Sequence, residues 1–288
     1  MTVTKRLAGS TATLLNRVVG SRAGGALGML VYHRIAPHAS GLPGPTMNVQ
    51  PGTFRTQLEG LVQRGYRVWP LREVLDRAAS GDRVPPRSLV ITFDDGFEGI
   101  YTHAWPVLRA LGLPATIFLN TAYLDGETFP FDGWGRRWQC QVPPSAVRPL
   151  RTDQAVEMHE DGLVDLGAHT HTHLDFRGRP GAFEADLRVN LEQLRDRFGL
   201  TRCSFAFPFG RPHLGFVSAE LVAAARRTGV RCGLTTSNEL VDLTTDPFWW
   251  GRFNAYESDS AAVLDAKLAG WYGWIPRVQE WLHGRRSA

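Results

Sequence analysis

Apolar and polar positions along the 288-residue chain follow two rhythms. Short, nearly continuous apolar runs rich in β-branched and aromatic residues read as buried strands: "MLVYHRI" at 29–35, "SLVITFDDG" at 88–96, "PATIFLN" at 114–120 and "LVDLGAH" at 163–169. Between them lie stretches with apolar residues three and four apart. In "FRTQLEGLVQRGY" (54–66), Phe54, Leu58, Leu61 and Val62 fall at helical spacing and Gly65 ends the element. "AWPVLRALG" (104–112) reads as a short helix with Pro106 in its first turn, and "FEADLRVNLEQLRDRFG" (183–199) as a long one with Gly199 at its C′ position. "CSFAFPFG" (203–210), "CGLTT" (232–236) and "FWWGRFNAY" (248–256) complete the strands. Such alternation predicts an α/β fold with a parallel sheet or barrel.

Residues 121–150 interrupt the rhythm with Gly126, Pro130, Gly133, Gly135, Pro143 and Pro144 around Trp134 and Trp138, and read as an insertion over the mouth of the barrel. Nothing else divides the chain, so a single domain over 1–288 is expected. The strands and helices so read span about 29–256, with residues 1–28 and 257–288 on either side. Residues 4–20 have the pattern of an amphipathic helix that caps the fold or lies on a membrane.

Composition narrows the function. The net charge of +4 comes from arginines spread along the chain, and the absence of a basic run argues against nucleic acid as a partner. The basic ends, "TKRLAGS" and "HGRRSA", leave peripheral contact with an anionic membrane open. Three cysteines without a CxxC pair do not make a disulfide framework. With no secretory signal and no long apolar span in the sequence, the expected location is the cytoplasm, with the inner membrane face as an alternative. Nine Trp and fifteen Phe supply a core and, in smaller part, platforms for a flat ligand such as a sugar ring.

Three pieces carry chemistry. Asp94 and Asp95 end an apolar strand just before Gly96, and two adjacent carboxylates there call for a compensating cation or hydrogen bonds. The ends of parallel strands are where barrel active sites lie. His169, His171 and His173 follow the strand 163–169. On an extended strand all three share a face; on a helical turn only His169 and His173 do. One Asp with two His is the donor set of a catalytic zinc-type site with a position left for water. Last, "FAFPFG" (205–210) is a strand ending in a Pro-Phe-Gly turn, which can leave the Phe209 amide free to face a substrate oxygen.

In order and spacing, "TFDDG", "HTHTH" and "FAFPFG" resemble the polysaccharide deacetylases, carbohydrate esterase family four, whose domain is also named for the nodulation chitooligosaccharide deacetylases. The resemblance covers residues 29 to 256, and "LVYHRI", "LPATIFL" and "DPFWWGRFN" are similar to the bacterial exopolysaccharide branch. It implies a distorted, seven-stranded (β/α) barrel with N- and C-terminal helical extensions. It also implies a metal-dependent hydrolase that removes N-acetyl groups from an amino-sugar polysaccharide or a lipid-linked glycan.

Carried over by position, Asp94 is the general base, and Asp95, His169 and His173 hold the metal. His171 falls in a variable slot, and the Phe209 amide binds the oxyanion. Zinc is expected first, with cobalt, nickel, manganese or iron as alternatives.

Two positions depart from the family pattern. Ala206 stands where many members have the arginine that pairs with the base, and Arg252 is the replacement. The late Leu-x-His acid motif is absent, "WLHG" having the two adjacent; His33 in "VYHRI" takes its place. Deformylation, O-acetyl ester hydrolysis and an inactive glycan-binding module on the same scaffold are the alternatives. Oligomeric state is left open.

Overall fold

The computed structural model describes residues 25–272. The helix expected at 4–20, the end of the C-terminal segment and its "WLHG" lie outside the described residues. The elements are β1 (Gly28–Tyr32), β2 (Arg34–Ile35), β3 (Asn48–Val49), α1 (Pro51–Gln63), β4 (Arg67–Val68), α2 (Leu71–Ser80), β5 (Ser88–Phe93), α3 (Trp105–Leu111), β6 (Ala115–Leu119), α4 (Gly133–Trp138), α5 (Thr152–Glu160), β7 (Val164–Ala168), α6 (Pro180–Phe198), α7 (Ala219–Arg227), β8 (Phe253–Asn254) and α8 (Ala261–Ala266).

The main sheet runs β7-β6-β5-β1-β8, with β4 beside the start of β5, and every pairing in it is parallel. β1, β5 and β6 are buried along their whole length, which is why they read as unbroken apolar runs rather than alternating ones. Beyond β7 the ladder continues through single bridges, Ala168 to Phe205 and Ala206 to Leu234. Thr235 then donates to the Trp250 carbonyl, and Ala255 to Val31 of β1. Followed this way, seven segments lead from β1 back to β1, but those at 203–210 and 232–236 are bridges rather than the full strands expected. Pro208 has no N–H to give and Phe209 has a positive φ, so neither can extend a ladder there.

The expected strand 29–35 is also broken. β1 stops at Tyr32, and β2 pairs with β3 instead. The break leaves His33 at the C-terminal end of β1, beside Asp94, whose amide donates to the Tyr32 carbonyl at 2.9 Å. On α1, Phe54, Leu58 and Leu61 are buried while Val62 is exposed, since it lies off their stripe. No helix among the described residues is long and apolar enough to cross a membrane.

Candidate active site

Asp94 and Asp95 leave β5 in different directions because the backbone turns at Asp95 itself, at φ +71°, and again at Gly96, at φ +78°. The reversal is therefore shared between Gly96 and a residue that has a side chain. A Cβ on Gly96 would also meet Leu119 Cδ2 at 2.6 Å.

Asp94 is gripped by Arg252. The guanidinium donates to Asp94 Oδ1 at 2.6 Å and Oδ2 at 2.8 Å, to Thr92 Oγ1 at 3.1 Å and to the Thr235 carbonyl at 3.1 Å. Both partners are buried. Burial alone would raise the pKa of Asp94, but Arg252 and His169 more than offset it and hold the carboxyl below its ordinary value.

Asp95, His169 and His173 converge from the ends of β5 and β7. Asp95 Oδ1 faces the Nε2 atoms of His169 at 3.5 Å and of His173 at 3.4 Å. One ligand atom from each of the three lies within 4.8 Å of the others. His169 Nδ1 donates to the Ala206 carbonyl at 2.8 Å, which leaves Nε2 with its lone pair toward Asp95. Asp95 Oδ1 is buried without a hydrogen-bond partner among the described residues. An oxygen in that position is costly unless a cation meets it. Donor separations of about 3.4 Å are those of a tetrahedron with bonds near 2.0–2.1 Å. The residues therefore fit a small divalent cation.

The charge states of Asp95 and His173 agree with that fit, whereas His169 must give up a proton that its carboxylate neighbours favour. Burial opposes ionisation of Asp95, but contact with His169 and the charges of His173 and His33 keep it well below the usual carboxylate range. Burial pushes the His173 pKa down to about 4, so its ring is neutral near pH 7, as a metal ligand must be. Burial lowers His169 too, but Asp94 and Asp95 bring it above its ordinary value.

The strand β7 ends at Ala168, so the histidine segment is neither an extended strand nor a helical turn. Thr170 and His173 take positive φ, +63° and +53°. With Asp95 and Phe209, at φ +61°, four of the seven non-glycine residues with positive φ among the described residues lie at this site. Each such residue costs about 1–3 kcal/mol and persists only where its surroundings enforce it.

The enforcing residues escaped the sequence reading. Asn190 accepts from the His169 amide at 3.1 Å and donates to the Leu119 carbonyl at 3.1 Å and Thr121 Oγ1 at 2.8 Å. Asn120 donates to the carbonyls of His169 and Thr170, and Asp186 accepts from the amides of His171 and Thr172. A signal existed: Asn190 interrupts the buried stripe of Phe183, Leu187 and Leu194 on α6.

His171 points elsewhere, its Nδ1 at 2.9 Å from Thr121 Oγ1. His171→Ala is expected to leave metal content and turnover within about twofold and to cost about 1 kcal/mol for one lost hydrogen bond. Metal analysis and a thermal melt check it.

His33 is partly exposed. Burial lowers its pKa, while Asp95 and Asp94 pull it upward across the site. The Phe209 amide takes no part in the hydrogen bonds of its turn: Gly210 donates to Pro208 at 2.7 Å and Thr236 Oγ1 donates to the Phe209 carbonyl at 3.0 Å. Of the seven sequence-selected residues, the structure brings Asp95, His169 and His173 together and pairs Asp94 with Arg252; His33 follows the end of β1 next to the Asp94 backbone, and the Phe209 ring meets His173.

A parallel α/β barrel with a carboxylate–dihistidine cluster beside an arginine-held carboxylate defines a candidate metal-assisted hydrolase centre. A family profile described as "Polysaccharide deacetylase" matches residues 81–233, more than half of the chain, which therefore belongs to the polysaccharide deacetylase family.

Among its relatives is a poly-beta-1,6-N-acetyl-D-glucosamine N-deacetylase of Staphylococcus epidermidis, 25% identical over 204 residues, or 68% of this chain and 63% of that protein. A protein of the same description from Staphylococcus aureus is 22% identical over 214 residues, or 71% of this chain and 67% of that one. The chain thus spans less than two thirds of the S. epidermidis protein. Among solved structures, IcaB from Ammonifex degensii superposes with a TM-score of 0.69 at 23% identity, over 86% of this chain and 98% of that one. The Streptococcus pyogenes deacetylase PplD, solved in complex with acetate, gives 0.69 at 20% identity, over 84% and 98%. Both share the fold.

Proposed function

We propose that this protein is a metal-dependent N-deacetylase of an amino-sugar glycan, either a polysaccharide or its lipid-linked precursor. The observation that carries this reading is Asp94, ionised in the grip of Arg252 beside the Asp95–His169–His173 cluster. The staphylococcal relatives, described as deacetylases of poly-β-1,6-N-acetylglucosamine, point to the same bond and sugar.

Asp95, His169 and His173 would hold the cation, with zinc the first choice for two imidazoles and a carboxylate. A divalent cation held there would polarise the acyl carbonyl and make water more acidic. Asp94 accepts the proton of the attacking water. Arg252 keeps Asp94 ionised and fixes its oxygens, so no reorganisation is needed at that moment. The Phe209 N–H donates to the oxygen of the carbonyl as negative charge builds on it. His33 gives a proton to the departing nitrogen. A carboxylate and a free amine leave: the oxygen of the water goes to the carboxylate, one of its protons makes good the one His33 gave, and the other is released to solvent.

His33→Gln is expected to lower kcat on an N-acetyl substrate by about 10²–10⁴-fold with metal content unchanged. On p-nitrophenyl acetate, whose leaving group needs no proton, the loss should nearly vanish. Equal losses on amide and ester would remove His33 from the acid role.

The function itself is tested by acetate release from N-acetylated glycans and lipid-linked intermediates, with and without chelator. Chelator-sensitive release from one of them is expected. Release from none would overturn the proposal.

A further inference from the structure

His169 and His173 both face Asp95 through Nε2, but their other nitrogens differ. His169 Nδ1 is fixed by the Ala206 carbonyl. His173 Nδ1 is buried and has no hydrogen-bond partner among the described residues. A ligating imidazole is ordinarily oriented by the hydrogen bond its second nitrogen makes. His173 is surrounded by rings instead. Phe131 stacks on it, with centroids 4.2 Å apart and planes at 24°. Phe209 meets it edge-on at 4.8 Å and 62°.

Phe131 lies just before α4, in the 121–150 insertion, so its position needs its own support. The next residue, Asp132, forms an ion pair with Arg34. Arg34 is almost fully buried, and its guanidinium lies over the ring of Phe97 at 4.3 Å and that of Trp134 at 5.1 Å. Phe97 packs on Phe129 at 4.6 Å, and Phe129 on Phe131 at 5.0 Å. A continuous set of contacts thus runs from Arg34 to the imidazole of His173. A buried arginine is costly unless its neighbours use it, and here it ties the insertion to β2.

We propose that Phe131 and Phe209 form an aromatic clamp that orients His173 for metal binding, and that Arg34 is the positioning residue that holds the clamp closed. The inference rests on the metal-site reading above. It gives the insertion a specific task at the metal centre.

The test is a Zn2+ titration against a chelating indicator, which reads affinity without turnover. Phe131→Ala is expected to weaken Zn2+ binding roughly three- to tenfold, the worth of one aromatic pair, and Phe131→Trp to keep it near the wild type's. Phe131 is about one third exposed, so Phe131→Ala also loses some packing, which the apo melting temperature reads separately, while Phe131→Trp keeps the ring. Arg34→Lys keeps the charge but cannot fork or stack, so it should lose as much affinity as Phe131→Ala and lose nothing more when combined with it.

Wild-type affinity in Phe131→Ala, with binding lost in His173→Ala, overturns the clamp alone. Additive losses in the Arg34→Lys, Phe131→Ala double variant, or wild-type affinity in Arg34→Lys, overturn the role of Arg34. If His173→Ala binds Zn2+ like the wild type, the metal-site reading itself fails.

Discussion

Arg252→Met is expected to destabilise the protein by about 3–5 kcal/mol, the cost of breaking a buried ion pair by removing one partner. The Asp94 carboxylate would stay in place, buried at 2% exposure, with only His169, His33 and neutral groups to compensate it. The pH dependence should change sign as well. In the wild type the folded pKa of Asp94 lies below its ordinary value of about 3.9. Its stabilising contribution is therefore complete above that value and is lost as pH falls through the folded one. Without Arg252, burial dominates and the folded pKa rises above the ordinary value. The variant then gains stability on mild acidification where the wild type does not. Urea denaturation at several pH values reads both the loss and the sign. The acidic limb of the activity profile should move to higher pH in whatever folded fraction remains.

Asp94→Asn is expected to lower kcat by about 10²–10⁴-fold while leaving the metal bound. Asparagine keeps the shape and can still accept from Arg252 through its Oδ1, but it cannot take a proton from water. The ligand atoms of Asp95, His169 and His173 are all on other side chains, so metal content should not follow activity. Asp95→Asn should behave in the opposite order, because it weakens one of three donors at a site whose orphaned oxygen calls for a cation. The pair of variants thus separates proton transfer from metal binding at two adjacent residues.

Much of this arrangement is legible in the chain. β5 and β7 are buried strands that end in ionisable residues, and an apolar run that stops at charge is the trace a barrel site leaves in a sequence. The spacing of His169 and His173 is visible too, though not the backbone that lets them converge. Positive φ at Thr170 and His173 depends on Asn190, Asn120 and Asp186, which act from α6 and the end of β6 across 14 to 50 residues. No local pattern encodes such long-range hydrogen bonds.

Arg252 was reachable only through resemblance, since nothing in "WWGRFN" says that its guanidinium crosses to β5. Helices α2, α5 and α7 escape the pattern reading because their buried faces are short. α5 buries Gln154, Ala155 and Met158, and α7 buries two alanines beside Leu221 and Val222. The segments at 203–210 and 232–236 look like strands in composition, yet each makes only isolated bridges; in the first, Pro208 and the turn at Phe209 end the ladder.

Asp94 is expected to move the proton while Asp95, His169 and His173 hold the metal. The most direct measurement is bound metal and acetate release, determined side by side for the wild type, Asp94→Asn and Asp95→Asn on the same N-acetylated glycan. Wild-type metal content with release abolished in Asp94→Asn, and both lost in Asp95→Asn, is the predicted result. Metal lost from Asp94→Asn but retained by Asp95→Asn, or undiminished release by Asp94→Asn, would contradict it.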